Sequence, residues 1–250
     1  VTAVLEQVVR HDWGRLVALL LARYRRLDLV EDALADATEA ATLRWPVDGV
    51  PDNPAGWLVT VAGRRILDRL RSETARQRRT PLVIAEAQRR AEAATVRADP
   101  GDLVADDVLR LALMCAHPAL APEAAAALTL RLVLGISTAD IARLFLVSET
   151  TMAARLTRAK KTIVAAGIPF AIPGLDALPD RLDTLAQTAY LAFTAGYAPS
   201  SGPDPVRLDL AGEAIRLVRV LLAAPGNRCS SRFSPWSCSS TPAGTPNVRT

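Results

Sequence analysis

The sequence predicts an all-α protein: two small helical domains joined by a linker, followed by a partial helical C-terminal extension. Three observations predict it. Ala, Leu, Val and Arg dominate the 250 residues and aromatics make up only 4%, a mix that suits helices better than strands, which favour β-branched and aromatic side chains. Apolar residues recur at steps of three and four over most of the chain. Pro, Gly and Ser punctuate these stretches where helices would start and stop.

The first stretch is helical through Leu5, Val8, Val9, Trp13, Leu16, Leu19 and Leu20. A second helix is predicted from about Asp28 to Trp45, with Asp28 as N-cap, Glu31 completing a capping-box pattern, and Pro46 as its stop. Pro46 to Pro54 holds three prolines and Gly49, and reads as a loop. Asn53 and Pro54 then read as N-cap and first helical residue of a third helix reaching about Arg79. Between Ala75 and Asp102 apolar residues thin out, and Ala, Arg, Glu and Gln take over up to Pro100-Gly101. This segment reads either as a mobile, partly helical linker or as a continuous surface helix.

Helices resume as Asp107–Ala116 and Glu123–Leu134, separated by Pro118 and Pro122, with Gly135 as a C-terminal stop. Ser137 is the predicted cap of Thr138–Phe145, Leu146-Val147 the turn, and Ser148 the cap of a helix from Glu149 to about Ala166. Gly167 and Pro169 end it, and the spacing is that of a helix-turn-helix. Two amphipathic stretches follow, Asp180–Thr194 and Leu208–Ala223. Asn227–Thr250 is rich in Ser, Pro, Thr and Arg without periodicity and is predicted to be disordered. The expected divisions are 1–75, a linker 76–103, a helix-turn-helix domain 104–166, an extension 167–224 and a tail 225–250.

Composition narrows the function classes. The net charge of +4 permits an anionic partner without identifying one. Of the 30 basic residues only Lys160 and Lys161 are lysines, the pattern of a GC-rich genome, so arginine abundance alone says little. Cys115, Cys229 and Cys238 are too few for a disulfide framework or a zinc site, and fit a reducing cytoplasm. His11 and His117 lie far apart, so no metal centre is expected. His117-Pro118 reads as a packing or capping pair, and Cys115 as a buried small residue. No phosphate loop, catalytic triad or cofactor fingerprint is present, so neither catalytic residues nor a cofactor are expected. The most apolar stretch, Leu109–Ile136, is broken by charges and prolines and is too interrupted to span a membrane. Glu6 and Arg10 are followed by no cleavage pattern, so no signal peptide is expected.

Three charged surfaces carry the functional expectation. In the helix-turn-helix, Ile141, Phe145, Val147, Met152 and Leu156 sit where packing is needed, with small Ala142 at the helix crossing. The second helix would then expose Thr150, Thr151, Ala154, Arg155 and Arg158, with Lys160 and Lys161 behind. Short hydrogen-bonding residues ahead of cations suit a major groove flanked by phosphates. Leu146, where many such units have Gly, predicts a slightly different turn. In the third helix, Val61, Leu67 and Leu70 are the expected core face, while Arg64, Arg65, Arg69 and Arg71 fan over the other side. Such a helix can lie along a nucleic-acid backbone or be an arginine-coated surface with an Arg64–Asp68 pair. The second helix aligns Asp28, Asp32, Asp36 and Glu39 in one stripe. That stripe repels DNA and suits a basic protein surface, or is an ordinary acidic face.

Taken together, Leu29–Asp36 with Arg44-Trp45, Asn53–Leu58 with Arg64–Arg71, and Ile141–Lys161 resemble an RNA polymerase sigma factor of the extracytoplasmic-function type. The first two strings resemble sigma region 2 and the third region 4. Cys115–Leu120, Leu128–Arg131, Phe145–Val147, Gly167–Phe170 and Tyr190–Tyr197 resemble a subgroup with a helical C-terminal extension. The resemblance covers roughly residues 1–223.

It implies that Asp28, Asp32, Asp36 and Glu39 dock on the β′ clamp helices of core RNA polymerase. It implies that Asn53, Trp57, Arg64, Arg65, Arg69 and Arg71 open the promoter −10 element and hold a flipped base. Thr150, Thr151, Ala154, Arg155, Arg158, Lys160 and Lys161 would read the −35 element, their domain would touch the β flap, and the linker would follow the RNA exit path. An anti-sigma partner is not legible. In the subgroup the extension runs on for well over a hundred residues, whereas here the helical pattern stops near Ala223. Read one base out of register from Pro225, with GC-rich codons, the tail becomes an apolar helical string. A frameshift, genuine or from sequencing, that has replaced most of the extension is the hypothesis this suggests, and resequencing the locus tests it. The rival readings are a stand-alone helix-turn-helix regulator and a truncated, non-functional sigma remnant.

Overall fold

The computed structural model describes residues 2–77, 102–197 and 207–222, and every regular element among them is a helix. These are α1 (Thr2–Tyr24), α2 (Leu27–Asp48), α3 (Pro54–Gln77), α4 (Asp102–Cys115), α5 (Pro122–Leu132), α6 (Thr138–Leu144), α7 (Glu149–Ala165), α8 (Leu178–Tyr197) and α9 (Arg207–Leu222). The all-α expectation holds. Most of the expected linker 76–103 and the whole tail 225–250 lie outside the described residues.

α1, α2 and α3 form one bundle. α2 buries Val30, Ala33, Leu34, Ala37, Ala41 and Trp45 along one stripe. Alanine at three of these positions lets α3 approach closely with Leu58, Ala62, Ile66 and Leu70. The α3 core face is thus one position away from the expected one. Ile66 is fully buried, while Val61 and Leu67 pack at the margin, because α3 meets α1 as well as α2. Asn53 caps α3 as expected, its Oδ1 accepting from the Gly56 N–H at 2.8 Å.

Two expectations for α2 are corrected. Asp28 is not its N-cap: the helix starts at Leu27 after Arg26, without a side-chain cap, and Asp28 sits in the first turn, paired with Arg26 at 2.8 Å. Pro46 does not stop it. The helix continues to Asp48 and closes with the Gly49 N–H on the Trp45 carbonyl at 3.1 Å. So near the C-terminus the missing proline N–H costs one hydrogen bond, and buried Trp45 holds the last turn in place.

The second half packs on the first through α1. α4 lies along α1, and α5 touches it. At the centre of this contact a Cβ on Gly14 would stand 2.3 Å from the Val133 carbonyl oxygen, so only glycine allows the approach. Beside it, Trp13 donates from Nε1 to the Arg131 carbonyl at 3.1 Å. Gly135, at φ +71°, turns the chain directly over the Trp13 ring. Segments on both sides of the linker therefore share one apolar core.

α8 and α9 pack on each other, and α8 docks on α4 and α5. Buried Arg181 anchors this dock by donating to the Leu113 carbonyl at 3.1 Å. Tyr190, Ile215, Val218 and Leu222 remain exposed on the outer side of the α8–α9 pair. Cys115 is fully buried, and its desolvated thiol is held well above the usual range, in keeping with a packing role. His117 accepts at Nδ1 from the Ala119 N–H at 3.1 Å, as a capping residue does.

Candidate nucleic-acid interface

α6, the turn and α7 form the expected helix-turn-helix. Ser137 caps α6 by accepting from the Asp140 N–H at 3.1 Å, and Ser148 caps α7 by accepting from the Thr151 N–H at 3.2 Å. Ile141, Ala142, Met152 and Leu156 are buried between the helices, with Phe145 and Val147 half-buried. The chain turns at Leu146. This residue takes the left-handed conformation, φ 54°, that glycine usually supplies, and its side chain is 93% exposed. An L-residue there is strained by about 1–2 kcal/mol. Glycine's greater unfolded-state freedom offsets about 0.4–1 kcal/mol of the relief. Leu146→Gly is therefore expected to stabilise the chain by roughly 0.5–1 kcal/mol in urea unfolding.

The outer face of α7 presents Thr150, Thr151, Ala154, Arg158 and Lys161 to solvent. Both threonine hydroxyls lie within hydrogen-bond distance of the Ser148 hydroxyl, at 3.0 and 2.7 Å, which orders the N-terminal turn. Arg155 is half-buried, its guanidinium 5.8 Å from the Phe145 ring. Lys160 differs from the others. It lies on the flank of α7 and reaches back to α2, where its ammonium donates to Glu31 Oε2 at 2.6 Å.

Glu31 is the residue that sequence reasoning left as half of a capping box. It is only 12% exposed and accepts a second bond from Arg131 Nε at 2.5 Å, on Oε1. Its partners come from α5 and α7, 100 and 129 residues along the chain, so no local pattern marks them. Burial disfavours the charged carboxylate, but the neighbouring charges of Arg131 and Lys160, and their hydrogen bonds, outweigh it. The Glu31 pKa consequently lies below the ordinary value of 4.5. A depressed carboxylate pKa contributes stability above the ordinary value that is lost as pH falls through the folded-state value. The stability of the chain is expected to drop on acidification below about pH 4.5, and to drop less in Glu31→Gln. Parallel urea titrations at pH 7 and pH 4 measure this.

The other two charged surfaces meet each other. Arg69 of α3 bridges Asp32 at 3.3 Å and Asp36 at 2.8 Å on α2. The Arg64–Asp68 pair does not form; Asp68 pairs with Arg71 at 3.1 Å. Arg64, Arg65 and Arg71 stay exposed along α3, and Glu39 is exposed at the far end of the acidic stripe. Arg26 holds both Asp28 and, at 3.0 Å, Glu73 of α3. Its hydrogen bond keeps the Asp28 pKa below the usual range despite partial burial. At the mouth of the loop between α2 and α3, half-buried Trp57 stands edge-on to Trp45, ring centroids 5.5 Å apart.

Residues 110–163, which run from α4 into the last turn of α7, match the family described as Sigma-70, region 4. Over these residues the chain is similar to a sigma-70 region 4 domain. The helix-turn-helix, α6–α7, lies within that match except for the last two residues of α7. Residues 181–232 match a family of unknown function (DUF6596), which covers most of α8 and all of α9 and runs past Pro225, where the frameshift was expected. An uncharacterized protein of Rhizobium meliloti (strain 1021) is 41% identical over 204 residues, 81% of this chain. The chain spans about half the length of this curated relative, 48%. No solved structure matches. No described helix is long and apolar enough to cross a membrane.

Proposed function

We propose that this chain is a sigma factor that binds core RNA polymerase and directs promoter-specific initiation. The observation that carries the proposal is the region 4 helix-turn-helix, with both helices capped by serine and an uncovered row of Thr150, Thr151, Ala154, Arg158 and Lys161 on the second. In this reading α7 enters the major groove at the −35 element with its threonines leading. Arg155 and Arg158 hold the backbone there, while Lys160 joins them only after leaving Glu31.

α3 serves the −10 element. Arg64, Arg65 and Arg71 face phosphates, Arg69 joins once released from the aspartates, and Asn53 and Trp57 border the site of the flipped base. The acidic stripe of α2, Asp28, Asp32, Asp36 and Glu39, docks on a basic surface of the β′ clamp helices, and the region 4 domain touches the β flap. The chain works by binding, in the cytoplasm, without a catalytic group, cofactor or metal of its own.

Reconstitution tests the reading. Purified chain added to core polymerase should co-elute with it and give run-off transcripts from genomic fragments. A stand-alone regulator would bind duplex without polymerase, and a non-functional remnant would give neither transcript nor complex.

A further inference from the structure

The surfaces assigned to polymerase and to DNA are engaged with each other inside the chain. Lys160 of α7 is held by Glu31 of α2, and Arg69 of α3 is held by Asp32 and Asp36 of α2. α2 contacts both α3 and α7, so where they touch it the two DNA-binding helices are no more than about two interhelical spacings, roughly 20 Å, apart. Elements centred at −35 and −10 are 25 base pairs apart, roughly 85 Å of duplex at 3.4 Å per pair. The described arrangement cannot reach both elements at once.

We propose that Glu31 is the latch of a closed form of this chain, gripping Arg131 and Lys160 so that α7 stays against α2 until the two halves are drawn apart. This rests on the sigma-factor reading for what opens the latch, but not for the latch itself. Glu31 suits the task on physical grounds. Its carboxylate is largely withdrawn from water and satisfied by two cations, one from α5 and one from α7, both from the far side of the linker. A carboxylate so placed is stable only while both cations stay, because a buried charge stripped of its partners is costly. The contact therefore adds to the apolar packing of α1 on α4 and α5 in holding the halves together in the closed state. Separation exposes Glu31 to water beside Asp32, where it adds to the negative surface offered to a basic partner. The outer face of α7 stays uncovered throughout, so the latch controls the spacing of the two DNA-binding helices rather than access to either.

Lys160 and Lys161 are the only lysines of the chain, which makes a direct test possible. Carbodiimide treatment of the full chain should join Glu31 to Lys160 by an amide, located by mass spectrometry, and added core polymerase should suppress that product. In parallel, fluorescent dyes on Ser72→Cys in α3 and Thr157→Cys in α7, with Cys229 and Cys238 changed to Ser, report the distance between the helices. Glu31→Gln should raise the fraction of the low-transfer, open form by about tenfold. Lys160→Gln should move it in the same direction, with circular dichroism confirming that both variants stay folded. No Glu31–Lys160 amide in the free chain, or unchanged energy transfer in both variants, overturns the latch. If the amide forms and Glu31→Gln opens the chain while polymerase neither binds nor suppresses the product, the latch stands and the sigma-factor reading fails.

Discussion

Reversing both charges in the middle of the acidic stripe, Asp32→Arg together with Asp36→Arg, is expected to lower affinity for core polymerase by at least about a hundredfold with the fold intact. The fold should survive because the pairs lost are surface ones. Asp32, Asp36 and Arg69 are each more than a third exposed, and such pairs contribute about 0–1 kcal/mol. The binding loss should be large because like charges brought together at an interface cost several kcal/mol. Arg69 complicates a single reversal, since it already neutralises part of the stripe. Arg69→Ala separates the effects: it frees both aspartates for docking while removing a cation from the α3 surface. Polymerase affinity should hold or rise in that variant, and −10-dependent transcription should fall. A titration of labelled chain with core enzyme, alongside a thermal melt, measures both outcomes. Full binding by the double reversal would remove the docking role from α2.

The second large effect is expected on stability. Gly14→Ala should destabilise the chain by about 1–3 kcal/mol, the cost of overpacking a tight contact. Helix propensity alone predicts the opposite, because Ala in a helix interior is favoured over Gly by about 1 kcal/mol. The clash decides the sign. The new methyl group would meet the Val133 carbonyl at 2.3 Å, and a backbone atom cannot swing away as a flexible side chain does. Either α1 shifts, disturbing Trp13 and its bond to the Arg131 carbonyl, or the two halves separate. Urea unfolding gives the magnitude, and the energy-transfer pair on α3 and α7 tells which of the two occurs. A stabilised variant would mean that the halves do not pack through this glycine.

The helix-turn-helix was legible in the sequence because every signal it needs is local. Ser137 and Ser148 each cap the helix that begins one residue later, and Ile141, Met152 and Leu156 are spaced for burial within 16 residues. The capping of α3 by Asn53 was legible for the same reason. The α2 boundaries were misread because Asp28 has the chemistry of a cap but finds a stronger partner in Arg26, and because Pro46 falls where only one hydrogen bond is at stake. The α3 core face was misread by one position because two neighbours, not one, bury it.

The sequence by itself determined which of the described segments are helices, how the helix-turn-helix is capped, and that acids gather on α2 and arginines on α3. These follow from propensity, periodicity and local hydrogen bonds, all short-range in the chain. Only the tertiary structure decided which charges meet. Glu31 finds Lys160 across 129 residues, Arg69 finds Asp36 across 33, and Gly14 lets α1 touch the turn after α5. An ion pair needs only opposite charges within reach, and with 30 basic and 26 acidic residues the chain offers many candidates. Packing selects among them, and packing depends on how whole helices fit together.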